Sequence, residues 1–171
     1  MTLSLPASPL ACLAPIGDRH ARTLILGSFP SEASLAAQRY YDHPRNQFWR
    51  LLGGVVGEPL ASMSYAERLE RLAAHGIAVW DVIACCEREG SLDSAIRAEV
   101  ANDLGGLLTR WPDVRLIAFN GGKAASYRRR VMALPEAARC QAVVLPSSSP
   151  ANATHSFAVK QAAWIAALGT R

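Results

Sequence analysis

Four short apolar runs recur along the chain, at residues 23–29 (TLILGSF), 77–83 (IAVWDVI), 116–120 (LIAFN) and 142–145 (AVVL). Each is nearly uninterrupted and gives way to polar or glycine residues, the pattern of strands buried on both faces of a parallel sheet. Between them, apolar residues recur at spacings of three and four, which predicts helices over 46–56, 65–75, 93–110, 123–132 and 156–168. Ala, Leu, Arg and Glu in these stretches favour helix. Gly76 is placed to end the helix before it, and Pro112 closes the helix preceding the third strand. Residues 53–59 and 135–139 read as connections.

Alternation of strand and helix predicts an α/β protein, an open three-layer sandwich with a mainly parallel central sheet. Without internal repeats or low-complexity tracts, residues 1–171 read as a single domain, with residues 1–20 as an N-terminal extension. In such sheets ligands sit beyond the carboxyl ends of the strands. That rule selects GSFPS (27–31), WDVIACC (80–86), FNGGKA (119–124) and LPSSSPAN (145–152).

Composition narrows the partners. The 171 residues are 50% hydrophobic and carry a formal net charge of +4, and of the 18 basic residues only Lys123 and Lys160 are lysines. A modest arginine excess suits a phosphate-bearing partner. The apolar stretch 1–15 lacks a basic start, so it does not read as a signal peptide, and no run is long enough for a membrane span. A cytoplasmic, monomeric protein is expected. The four cysteines, Cys12, Cys85, Cys86 and Cys140, contain no CxxC pair, so they read as buried thiols, with an iron–sulfur cluster as the alternative. No metal or organic cofactor is implied.

The strand-end segments differ in the chemistry they offer. LPSSSPANATH exposes hydroxyls and backbone N–H groups before a helix, suited to phosphate oxygens or, alternatively, to a serine-rich helix cap. FNGGKA is no P-loop, because Ala124 follows Lys123 and no glycine precedes Gly122 at the required distance. The GxSxG nucleophile elbow is absent too. After GSFPS, the stretch YYDHPRNQFW brings together an aromatic ring (Tyr41), a rigid proline (Pro44) and an amide (Asn46), the parts of a pocket that stacks a planar base and orders a water. Phe48 and Trp49 read instead as the core face of a helix.

GSFPS, YDHPRNQFW, GIAVWDVI and LPSSSPAN, in this order, resemble the uracil-DNA glycosylase superfamily, and within it the mismatch-specific enzymes and the hypoxanthine-DNA (deoxyinosine) glycosylase branch. The resemblance spans roughly residues 24–168 and implies a four-stranded parallel sheet. It implies that Tyr41 stacks on an extruded base and that Asp81 lies near that base, with Phe29 beside it. Phe29 stands where mismatch-specific relatives carry the Asn or Asp that positions the attacking water, and Asn46 is the residue expected to take over that catalytic task. Leu145 replaces the His that uracil enzymes use to stabilise the departing base. Ser31, Ser147, Ser148 and Ser149 are expected to grip phosphates, with Pro150 and Asn152 in the part that pushes into the duplex. His155 reads either as a phosphate contact or as a surface cap.

The activity so implied is monofunctional hydrolysis of the N-glycosidic bond of a flipped deaminated base, hypoxanthine above all, in double-stranded DNA, as a step of base excision repair. Flipping costs a few kcal/mol, less for a mispaired base. The alternatives are a mismatch-specific uracil enzyme and an inactive DNA-binding module of the same fold, the latter suggested by Phe29.

Overall fold

The computed structural model describes residues 8–169. In chain order its elements are β1 (Leu10–Ala11), β2 (Thr23–Gly27), α1 (Glu32–Ala37), α2 (Phe48–Val56), α3 (Tyr65–Ala74), β3 (Ile77–Asp81), β4 (Ile83–Glu87), β5 (Arg97–Ala101), α4 (Leu104–Arg110), β6 (Leu116–Asn120), α5 (Gly122–Ala125), α6 (Arg128–Met132), β7 (Gln141–Leu145) and α7 (Phe157–Leu168). The apolar runs become a four-stranded parallel sheet in the order β3-β2-β6-β7. Leu24, Ile25 and Leu26 of the inner strand β2 are fully buried, as are Ile117, Ala118 and Phe119 of β6, which is why these strands show no alternation.

Helices flank the sheet and complete the three-layer α/β arrangement: α3 packs on β3, α5 on β6, and α7 on β7 and α2. Capping fixes where two of them begin. Ser64 and Glu67 form a reciprocal capping box on α3, and Ser156 accepts from the Val159 N–H at the start of α7. The free edge of β3 is covered, since Ile16 and Val79 exchange backbone hydrogen bonds of 2.8 and 2.9 Å. Residues 10–16 are thereby part of the packed structure, and Leu13 is buried.

Strand register positions the site. Gly27 pairs with Asp81, Leu26 with Phe119, and Asn120 with Leu145. The four strands therefore end side by side and bring Gly27, Asp81 and Asn120 to one crevice, with Leu145 buried beside Asn120.

Three elements depart from the expected pattern. The apolar run 77–83 is divided: β3 ends at Asp81, and β4 begins a second, antiparallel sheet in the order β1-β4-β5. The helix expected over 93–110 is a 3-10 turn (Asp93–Ala95), the exposed strand β5, and α4, which starts where Asp103 caps the Gly106 N–H. Pairing with β4 overrides the helical preference of Arg97, Ala98 and Glu99. The helix expected over 123–132 breaks into α5 and α6 around Ser126, whose hydroxyl bonds back to the Lys123 carbonyl at 2.6 Å. Among the described residues no helix is long and apolar enough to cross a membrane.

Candidate active site

The crevice at the strand ends opens into a cavity of about 470 Å³, within the ~300–1,000 Å³ usual for small-ligand sites. Asp81, at the end of β3, forms its floor. The side chain is 3% exposed, and its Oδ2 is buried without a hydrogen-bond partner. Burial, reinforced by the Asp93 carboxylate and opposed by the Arg88 guanidinium, pushes this acid up to about 7. Gly27 is required beside it, since a Cβ there would stand 2.6 Å from Asp81 Oδ1 and 2.8 Å from Tyr41 Oη.

Tyr41 is held from several sides. Its backbone is left-handed at φ 53°, a strained conformation for an aromatic residue. The neighbours fix it: Tyr40 Oη donates to the Leu13 carbonyl at 3.1 Å, and the Asp42 N–H donates to Ser34 Oγ at 3.1 Å. The Tyr41 ring stacks on Phe48, with centroids 3.8 Å apart and planes within 10°. Phe48 and Trp49 are buried core residues, as the helical pattern predicted. Burial raises the Tyr41 phenol, so the ring stays neutral, and its Oη accepts from Asn120 Nδ2 at 3.2 Å.

Asn46 sits at the entry to α2. Its Oδ1 accepts the Phe48 N–H at 2.9 Å, an Asx cap that aims the amide toward the cavity it lines. Gln47 then joins this entry to the serine loop, its N–H donating to the Ser148 carbonyl at 3.0 Å.

The three serines of that loop divide by position. Ser148 is 1% exposed and is clasped by Asn120, whose Nδ2 donates to Ser148 Oγ at 2.9 Å while Oδ1 accepts the Ser148 N–H at 3.0 Å. It pins the loop to the sheet. Ser147 and Ser149 are partly exposed and cap the N–H groups of Ser149 and Ala151, which leaves their own hydroxyl protons free to be donated. Behind the loop, Lys160 is 2% exposed and donates to Gln47 Oε1 at 3.0 Å and to the Asn152 carbonyl at 2.9 Å. Trp164 Nε1 holds the Pro146 carbonyl at 2.9 Å.

Of the residues singled out from sequence, Asn46, Phe29, Tyr41, Asp81, Ser31, Ser147, Ser148, Ser149 and Asn152 all border this one cavity. Ser31 doubles as the cap of α1, accepting the Ser34 N–H at 3.1 Å. Pro150 is exposed on the turn of the serine loop, outside the cavity wall, and His155 is exposed beyond it. Sequence reasoning missed Asn120, which ends LIAFN and so lay inside a segment selected by the strand-end rule. It also missed Asp93, anchored to Ser28 Oγ at 2.5 Å, and the anchoring role of Lys160.

A cavity lined by an aromatic ring, an amide and a hydroxyl-bearing loop offers a flat apolar surface for a planar group and hydrogen-bonding groups beside it. Residues 14–168 match the family model described as the uracil DNA glycosylase superfamily. A protein of Methanosarcina acetivorans named hypoxanthine DNA glycosylase is 44% identical over 79% of this chain and 83% of its own length. One of the same name from Methanosarcina barkeri is 40% identical over 81% and 85%. A solution NMR structure from Methanosarcina acetivorans, of a protein assigned to the uracil DNA glycosylases, superposes with a TM-score of 0.82 at 39% identity, covering 94% of this chain and 97% of that one. The chain belongs to the uracil DNA glycosylase superfamily.

Proposed function

We propose that the chain is a monofunctional DNA glycosylase that removes hypoxanthine from deoxyinosine in duplex DNA, opening base excision repair. The observation that carries this reading is the convergence of Asn46 and Tyr41 on one cavity whose rim is the loop of Ser147, Ser149 and Asn152. The hypoxanthine DNA glycosylases of the two Methanosarcina species, similar over most of the chain, support the choice of base.

In this reading the duplex is gripped through its phosphates by Ser147, Ser149 and Ser31, with Pro150 and Asn152 entering the space the nucleotide leaves. Such contacts offset the cost of extrusion without reading sequence. The base packs against Tyr41, a contact worth about 1–3 kcal/mol, with Phe29 walling the pocket and Asp81 reaching its polar edge. Bond breaking runs ahead of nucleophilic attack, so the sugar gains oxocarbenium character before water arrives. Asn46 then needs only to hold that water in line, because an amide is too weak a base to do more. Among the described residues no amine nucleophile is at hand: Lys123 is paired to Glu99 at 2.6 Å, Lys160 lies behind the loop, and neither lines the cavity. That argues for hydrolysis without strand cleavage.

The test is single-turnover base release from a deoxyinosine duplex, with deoxyuridine in parallel. Asn46→Ala is expected to bind DNA and to lose release by at least about a hundredfold, the scale of a lost positioning group. Release from deoxyuridine alone would move the assignment to a uracil enzyme. DNA binding with no release from either substrate would move it to an inactive binding module.

A further inference from the structure

The charges around the cavity are lopsided. Asp81 and Asp93 both line it, and among the described residues no lysine, arginine or histidine does. Asp93 is exposed and held by Ser28, whereas Asp81 is buried and its Oδ2 has no hydrogen-bond partner within the protein. The nearby Arg88 guanidinium donates to the Pro30 carbonyl and acts on Asp81 only through its charge, so burial outweighs it and favours the neutral acid. Its Oδ1 lies against the bare backbone of Gly27, at the strand end where the cavity begins.

We propose that Asp81 meets the extruded base as a neutral carboxylic acid, its O–H donating to the base carbonyl and its C=O accepting from the adjacent ring N–H. The inference rests on the glycosylase reading above. In hypoxanthine the two partners are O6 and N1–H, and the acid matches them as donor and acceptor. An ionised carboxylate offers two acceptors instead, and one of them faces the lone pairs of O6. The groups that set the balance are Asp93 on the Asp93–Ala95 turn, Arg88 beyond β4, Tyr40 and Tyr41 after α1, and Cys12 beside β1. Burial and Asp93 favour the neutral form. Arg88, whose guanidinium carbon lies 5.1 Å from the centroid of the Phe29 ring, favours the ionised one. With the acid titrating at about 7, both forms are reached in ordinary buffers.

Asparagine reproduces the neutral acid, with its NH₂ in place of the O–H, whereas leucine keeps the volume and removes both contacts. The experiment is single-turnover release of hypoxanthine by the full chain, with Asp81→Asn and Asp81→Leu alongside, from about pH 6 to about pH 9, with DNA binding and thermal melting measured on each. The unaltered protein is expected to slow by about tenfold per pH unit above the titration of Asp81. Asp81→Asn should stay within about tenfold of its low-pH rate and hold it to the alkaline end, while Asp81→Leu falls by about a hundredfold throughout. A flat profile for the unaltered protein would overturn the proposal. So would an Asp81→Asn variant that folds and binds DNA yet is as slow as Asp81→Leu. Absence of release by the unaltered protein at every pH would sink the glycosylase reading itself, a result separable from both.

Discussion

Asn120 and Ser148 hold each other by two reciprocal hydrogen bonds, of 2.9 and 3.0 Å, across the crevice where β6 and β7 end. The same Asn120 amide reaches Tyr41 Oη at 3.2 Å. One side chain therefore sets the distance between the Tyr41 ring and the serine loop.

Replacing Asn120 by Leu leaves the buried Ser148 N–H and hydroxyl without partners, each at about 1–3 kcal/mol. The expected result is a loss of roughly 2–4 kcal/mol in urea unfolding, together with weaker binding to duplex DNA. Unchanged stability would mean that the loop is held from the α7 side alone.

Asp81 makes stability depend on pH in a defined direction. Its acid rises from 3.8 to about 7 on folding, so between those values the folded chain binds more protons than the unfolded one. Stability from this group is complete below about pH 4 and is lost as pH rises through 7. Asp81→Asn removes the effect: relative to the unaltered protein it should gain up to about 4 kcal/mol at pH 8 and progressively less toward acid pH, read from urea midpoints at both ends.

Lys160 is a buried cation with neutral oxygens as its partners, and burial lowers its ammonium. Lys160→Met keeps the packing and deletes the link between Gln47 and Asn152. Amide hydrogen exchange should accelerate across 146–155 and leave the sheet unaffected, with global stability changing by no more than about 1 kcal/mol. Exchange that rises in β6 as well would show that Lys160 supports the fold and not the loop alone.

Gly27→Ala drives a methyl group into both Asp81 Oδ1 and Tyr41 Oη. Overpacking of this kind costs about 1–3 kcal/mol. The variant should still fold and bind DNA while base release drops well beyond the change in affinity, as single-turnover rates and gel shifts together will report.

Much of this architecture is legible in the sequence, for a physical reason. Strands sealed on both faces must be apolar throughout, so β2 and β6 announce themselves, and a sheet of that kind directs ligands to its carboxyl ends. Asp81 lies at one of those ends, whereas Tyr41 and Asn46 stand beyond them and are singled out by the YYDHPRNQFW stretch and the family resemblance. The exposed strand β5 is hidden because Arg97, Ala98 and Glu99 carry a helical preference that only pairing with β4 overrides. Ser148 shows the same limit at the site. Three adjacent serines look alike in sequence, and only the fold turns the middle one inward onto Asn120 and leaves its neighbours at the rim.

Gly27 and Asp81 are register partners on adjacent parallel strands. Slipping that pairing by one residue would swing every side chain of β3 to the opposite face, and the buried core forbids it. The carboxyl's address is thus written into the backbone ladder, beyond the reach of loop remodelling. A substitution at position 81 therefore changes the chemistry at a fixed point of the cavity and not its location.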